Sequence, residues 1–321
     1  MLSLLLLTFS FSLALTLAVR YFANKKELLD HPNERSSHTM PTPKGGGLAI
    51  MAAFYAALCC LYFQTQIDEK LFFALLSALP VILVSLVDDL YPLSAKIRLA
   101  IQLLSAVVAL YFLGGIDSVD LALFSLHGIW LNLVALLGII WMTNLYNFLD
   151  GIDGYAGSEA LFTGLAAFIL FGNAPALFIA VSAAGFLLFN WHKASIFMGD
   201  VGSAPLGFIF SVFILYDAGT PHFLGWIMLL SLFWFDATLT LIRRARRSEK
   251  LSQPHKKHAY QRLNQAGFTH DKVVLLAMGI NLLIFAALYF THPESYLYLF
   301  LALIVLLYTL TKFIDTKKAF D

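Results

Sequence analysis

Charge is what this sequence has least of. Lys, Arg, Asp and Glu make up 13% of its 321 residues, where a soluble domain carries about a quarter, and the mean hydropathy is +0.78. That deficit excludes an ordinary soluble globular chain. The net charge is only +1, with no separate basic region, so nothing marks a nucleic-acid partner. Cysteine is nearly absent: Cys59 and Cys60 stand side by side in an apolar run. Adjacent cysteines rarely bridge each other, and no His or Asp lies near them in sequence to complete a metal site, so packing is their expected role. The first 22 residues lack a cationic start and a clear small-residue cleavage site. They read as a retained first span with its N-terminus outside, not as a cleaved signal.

Long apolar runs are what the chain does have, and they recur from end to end. A spanning helix needs roughly 20 apolar residues, and lipid admits only helices or closed barrels. Continuous runs, in place of alternating ones, select helices. The expected fold is therefore all-α: one polytopic membrane domain, 1–321, of about 11 transmembrane helices. They fall near 2–22, 46–63, 71–87, 99–113, 121–146, 158–171, 175–190, 203–217, 223–242, 273–290 and 295–312. The weakest is 203–217, which is short and contains Pro205. Of the 21 Lys and Arg, all but Lys70 follow odd-numbered spans. Cytoplasmic loops hold such an excess, which puts the C-terminus in the cytoplasm.

The outer connections, such as "GGIDS" and "GNAP", are short and plain. The inner ones carry the polar clusters: "DHPNERSSHTMPTPKGGG", "VDDLYPLSAKIR", "NLYNFLDGIDG", "NWHKASIFMGDVGS" and the long segment from Arg243 to Lys272. Clusters converging on one face form a single composite site. Asp88 and Asp89 end the third span, where acids oppose the helix macrodipole; a cation or a proton role offsets that cost, while a solvated helix end is the plainer reading. Asn144, Asn147 and Asp150 sit three apart and form a helical stripe, and Gly151 and Gly154 permit a tight turn that returns Asp153 toward it. An interhelical hydrogen-bonded seam needs fewer groups than this. Asp200, among glycines in "FMGDVGS", suits a phosphate–Mg²⁺ assembly, although Gly-Asp-x-Gly also makes ordinary turns. His255 and His258, with Lys256, Lys257 and Arg262, lack the nearby ligands of a zinc site but suit an anion. "KGGG" at 44–47 has no P-loop context and loosens entry to the second span. Asp236 shares a helical face with Arg243 and Arg244, which predicts a structural ion pair. Together the acids and cations are the parts of metal-assisted phosphoryl transfer, placed where one substrate is a lipid and the other soluble.

In this order and wording, "DHPNERSSHTMPTPKGGG", "VDDL", "NLYNFLDGIDG", "FMGDVGS", "FDATLTLIRR" and "HKKHAYQRL" resemble the polyprenyl-phosphate N-acetylhexosamine-1-phosphate transferases, over about residues 30 to 263. The resemblance implies transfer of a sugar 1-phosphate from a UDP-sugar to undecaprenyl phosphate, with release of UMP, at the bacterial inner membrane. It implies Mg²⁺, with Mn²⁺ as a substitute, held by Asp200 and Asp89. It makes Asp88, Asp89, Asp150, Asp153, His255 and His258 catalytic, with Asn147, Asn190, Lys96 and Arg262 on the substrates and Phe197 stacked on uracil. A homodimer stays open. The enzyme that uses a muramoyl-pentapeptide nucleotide has three consecutive histidines where this chain reads His-Lys-Lys-His, which argues against peptidoglycan synthesis. "HAYQRL" is closer to the O-antigen-initiating branch, whose donors include 6-deoxy sugars such as UDP-FucNAc or UDP-QuiNAc; UDP-GlcNAc is the alternative. From another class, a lipid or sugar transporter has this many spans, but transporters gather polar groups at the midplane, and here the acids lie at inner helix ends.

Overall fold

The computed structural model describes residues 1–32, 40–251, 253 and 255–320. The middle of the "DHPNERSSHTMPTPKGGG" motif, residues 33–39, and Ser252 and Pro254 of the histidine segment lie outside them. In chain order the helices are α1 Leu2–Lys25, α2 Gly47–Phe63, α3 Glu69–Leu76, α4 Leu79–Leu90, α5 Ala95–Leu113, α6 Trp130–Phe148 and α7 Tyr155–Phe171. They continue with α8 Ala174–Asn190, α9 Asp200–Tyr216, α10 His222–Leu229, α11 Ser231–Arg246, α12 Ala259–Gln265, α13 His270–Phe290 and α14 Tyr296–Lys317. Six helices or joined helices are long and apolar enough to cross a membrane, or seven if α10 and α11, bent by 68°, form one span. Four shorter apolar helices, α2, α7, α8 and α9, complete the bundle.

Each of the eleven expected segments contains helix, with shifted ends. The third is broken: α3 stops at Leu76 and α4 restarts with Pro80 in its first turn, where the missing N–H costs nothing. The fifth begins only at Trp130, because Ser118–Asp120 (β3) and Ser125–His127 (β4) pair as an antiparallel ribbon. A second ribbon pairs Leu29–Asp30 (β1) with Thr42–Pro43 (β2). The all-α expectation therefore holds for the bundle but not for these two connections. Local signals fix several helix starts: Asp68, Ser94 and Asn173 accept N–H groups from the first turns of α3, α5 and α8, as N-caps do.

The helix expected to be weakest is central. Every residue of α9 from Val201 to Ile214 is buried, packed on α6, α4, α2 and α10. Its start meets the start of α2 backbone to backbone. Gly46 and Gly47 donate to the carbonyls of Phe197 and Met198 at 2.9 and 2.8 Å, and a Cβ on Gly47 would come within 2.2 Å of Gly202 Cα. "KGGG" thus tightens the entry to α2, contrary to the expected loosening. Of the two cysteines, Cys60 is exposed on the surface of α2 and Cys59 is half-buried, so the packing role fails for Cys60. One acid lies deep in the bundle: Glu159 of α7, fully buried, accepts Asn281 Nδ2 of α13 at 2.7 Å.

Candidate functional site

The five connections singled out by their polar residues meet at one end of the bundle. At the other end lie the contacts between Ile116 and Asn132 and between Asp120 and Ala218.

Asp88 and Asp89 close α4, and Asp200 opens α9. Asp89 lies across the first turn of α9 and accepts the N–H of Val201 at 2.9 Å and that of Asp200 at 3.3 Å. The macrodipole cost of an acid at the end of α4 is thus offset at the start of α9. Gly199 makes room for it: φ there is +75°, and a Cβ would stand 2.7 Å from Asp89 Oδ2. Lys44 Nζ is 3.7 Å from Asp89. Asp88 accepts Leu93 N–H at 2.6 Å and Arg98 Nη1 at 2.7 Å. The same Nη1 reaches Asp200 at 3.2 Å, and Asn147 Nδ2 donates to Asp200 at 2.9 Å and to Ser203 Oγ at 2.9 Å. Three carboxylates from two helix ends are therefore drawn together, two of them on one guanidinium and the third on the first turn of α9.

The turn after α6 carries the next pair, in opposite environments. Asp150 is pushed up to about 8 by burial and then by the neighbouring charges of Asp200, Asp89 and Asp153. Asp153 is also buried, but hydrogen bonds from His270 and His192 and the positive potential of His270 outweigh that and hold its carboxyl below the usual range. Its Oδ2 lies 2.8 Å from His192 Nδ1, 3.2 Å from His270 Nδ1 and 3.2 Å from Ala194 N. Neutral and ionised carboxyl groups three residues apart can serve as acid and anion at one pH.

The histidine segment abuts this turn. Tyr260 donates to the carbonyl of Phe148 at 3.0 Å, and a Cβ on Gly151 would overlap the Tyr260 hydroxyl. His258 is buried beside the Phe148 ring, with centroids 6.4 Å apart, and His255 lies 4.8 Å from His258. Burial, with His258 and Arg244 nearby, pushes His255 down to about 4, so it is a neutral imidazole at physiological pH. Asp236 does not pair with Arg243 or Arg244. Its carboxylate accepts Ala259 N–H at 2.8 and 2.9 Å, while Arg243 binds Asp315 with two bonds of 3.0 Å and Arg244 binds Glu249 at 2.9 Å. The reason is that α11 ends where the segment folds back, so longer-range partners outcompete the same helical face.

Of the expected substrate contacts, Arg262 is spent elsewhere and Asn190 supports the Asp153–Gly154 turn through the Gly154 backbone N–H. Arg262 is 2% exposed and its Nη1 is 2.5 Å from Asp315. Lys96 is exposed on α5. Asn190 is buried, with its amide used up between Gly154 N at 3.0 Å and Ile196 O at 2.9 Å. Phe197 is half-buried, its backbone N–H on Pro43 O at 2.8 Å and its carbonyl on Gly46 N. Conversely, Arg98, Lys44, His192 and His270 were legible only as loop charges or as letters in quoted motifs. The one advance signal was Ser94, a helix-start residue that places Arg98 in the first turn of α5.

Residues 71–217 match glycosyl transferase family 4. Over 318 residues the chain is 30% identical to the Bacillus subtilis (strain 168) protein named "Probable undecaprenyl-phosphate N-acetylglucosaminyl 1-phosphate transferase", covering 92% of this chain and 86% of that one. It is 30% identical to the decaprenyl-phosphate N-acetylglucosaminephosphotransferase of Mycobacterium leprae (strain TN), over 86% of this chain and 81% of the relative. The undecaprenyl-phosphate alpha-N-acetylglucosaminyl 1-phosphate transferase of Thermotoga maritima is 29% identical over 93% of this chain and 94% of its own length. With its motifs gathered at one end of a helical bundle and similarity along almost the whole sequence, the chain belongs to the polyprenyl-phosphate hexosamine-1-phosphate transferase family.

Proposed function

We propose that this protein transfers N-acetylhexosamine 1-phosphate from a UDP-sugar to undecaprenyl phosphate, or a closely related polyprenyl phosphate, at the cytoplasmic face of a bacterial inner membrane. The observation that carries this reading is the convergence of three acids where α4 ends and α9 begins: Arg98 Nη1 lies 2.7 Å from Asp88 and 3.2 Å from Asp200, and Asp89 accepts the N–H groups of Asp200 and Val201.

The donor set fits Mg²⁺: carboxylate oxygens are hard ligands, and one guanidinium nitrogen already stands between two of them as a cation. Asp200 and Asp89 are the residues that would hold the ion, with Asp88 beside them. When bound, Mg²⁺ or Mn²⁺ supplies charge neutralisation on the donor diphosphate.

The remaining work falls to the protein. A phosphate monoester has a second pKa near 6, so the acceptor arrives largely ionised and needs little help from a base. Two like charges 4 Å apart repel by about 4 kcal/mol at an effective dielectric near 20, and Arg98 and Lys44 reduce that repulsion. An acceptor oxygen attacks the sugar-linked phosphorus. The bond from that phosphorus to the bridging oxygen breaks, and UMP leaves with the electron pair. His255, neutral, takes part by hydrogen bonding, and His258 packs beneath it. An apolar cavity of about 290 Å³ between α6, α9, α10 and α11, running from Ile116 and Val119 at the end away from the acids to Met142 and Thr238, suits the acceptor's tail.

The names of the relatives weigh the donor toward UDP-GlcNAc. The 6-deoxy donors and the O-antigen role rest on the "HAYQRL" wording. The deciding experiment incubates the purified protein with undecaprenyl phosphate, Mg²⁺ and a panel of UDP-GlcNAc, UDP-FucNAc and UDP-QuiNAc, and measures UMP with and without chelator. Lipid-dependent UMP abolished by chelator is expected. No lipid-dependent UMP from any donor overturns the reading.

A further inference from the structure

Asp153 is held by two histidines from distant parts of the chain. His192 follows α8 and His270 opens α13, 39 and 117 residues away. Their Nδ1 atoms lie 2.8 and 3.2 Å from the same oxygen, Oδ2, which also receives Ala194 N–H at 3.2 Å. Among the described residues Oδ1 takes no hydrogen bond. Asp153 and His270 are 8% and 6% exposed. His270 Nδ1 also accepts the Asp153 backbone N–H at 3.3 Å, so the carboxylate is held through one oxygen and its twin is left free.

His270 also serves the turn through the Asp153 N–H, but the turn does not need His192 on the carboxylate. Gly154 N is already satisfied by Asn190 Oδ1 at 3.0 Å, and Tyr260 packs on Gly151. A carboxylate in a glycine-flanked turn would otherwise sample several rotamers, and fixing a side chain at the moment of binding carries an entropic cost. Fixing it beforehand preorganises the site.

We propose that His192 and His270 are positioning residues, His192 holding the Asp153 carboxylate through Oδ2 and His270 Nδ1 accepting the Asp153 backbone N–H at 3.3 Å, which together present Oδ1 as a hydrogen-bond acceptor to an N–H or O–H of the nucleotide-sugar donor. This rests on the transferase reading above. The three groups also lie within 4.8 Å of one another, the spacing of a cation site, but Oδ2 takes His192 Nδ1 and Ala194 N–H, and His270 Nδ1 takes the Asp153 N–H, so hydrogen bonding accounts for the cluster without an ion.

The test uses the full chain in detergent, with UMP release as the readout and undecaprenyl phosphate and UDP-GlcNAc varied separately. If UDP-GlcNAc is not turned over, the donor that is replaces it. His192→Phe removes the donor to Oδ2, and His270→Phe the acceptor of the Asp153 N–H, while keeping bulk; His192→Asn and His270→Asn put an amide near the place of Nδ1. The Phe variants are expected to raise the donor KM about tenfold or more, with the acceptor KM unchanged in both and the thermal transition unchanged in His192→Phe, and the Asn variants to recover most of the loss. If His270→Phe does not fold, the His192 pair carries the same comparison. An unchanged donor KM in the Phe variants, an equal rise in both KM values, or no rescue by Asn overturns the clamp. So does a stoichiometric transition metal in the wild-type protein that is lost in His270→Asn. An inactive wild type fails the transferase reading instead, a distinguishable result.

Discussion

Asp89, next to last in α4, accepts the backbone N–H of Val201, second in α9, at 2.9 Å. One carboxylate thus caps the central helix of the bundle and fixes Asp200 beside Asp88. Asp89→Ala removes a helix cap as well as an acid, so it is expected to lower stability by about 1 kcal/mol and to abolish turnover. Asp200→Asn should abolish turnover with little change in the thermal transition. Thermal unfolding and UMP release on the same preparations separate the two. Near-wild-type turnover of Asp200→Asn at saturating Mg²⁺ removes Asp200 from the metal role.

Arg98 is the cation shared by Asp88 and Asp200. Arg98→Ala leaves those acids without it and should cut kcat about a hundredfold, the scale seen when one charge-stabilising donor is lost. Raising Mg²⁺ should restore part of the loss. Lys96→Ala, on the exposed side of the same helix, is expected to stay within about twofold of wild type on the same scale. A Lys96 defect as large as that of Arg98 reverses the assignment.

His255 is held down to about 4 by burial and by His258 and Arg244, against an ordinary value near 6.5. The unfolded chain therefore takes up a proton as pH falls below about 6.5, while the folded protein resists until about 4. By linkage, stability is lost as pH falls through that window. Wild type should lose thermal stability more steeply than His255→Gln between these pH values. Parallel curves contradict the buried neutral imidazole.

Glu159 and Asn281 join α7 to α13 in the apolar interior. Asn281→Leu strands the carboxyl group and is expected to cost about 1–2 kcal/mol, while Glu159→Leu with Asn281→Leu recovers much of it. Chemical denaturation of the single and double variants measures the coupling, and strict additivity refutes it.

The helices were legible because unbroken apolar runs have few alternatives in lipid, and the acids because an acid beside such a run is costly unless used. The ribbon at 118–127 was not: "SVDLALFSLH" is apolar enough to pass for the start of α6. Asp236 was misassigned because helical spacing counts only partners on the same helix, and beyond Thr240 on that helix its carboxylate is taken by Ala259 N–H, 23 residues on. Arg98 and Arg262 looked alike as inner-face charges. Burial separates them: one reaches the acids and the other binds Asp315. The clamp on Asp153 draws on residues up to 117 positions away, a distance over which spacing carries no information.

Asp315 of α14 grips Arg243 and Arg262 on either side of the histidine segment, and Phe320 is buried among Arg243, Arg247, Lys257 and Arg262. The acids are synthesised well before this brace. The segment that carries the histidines is thus tied down by a helix made after it, and trimming the end of α14 should loosen that segment while leaving the Asp89–Val201 contact in place.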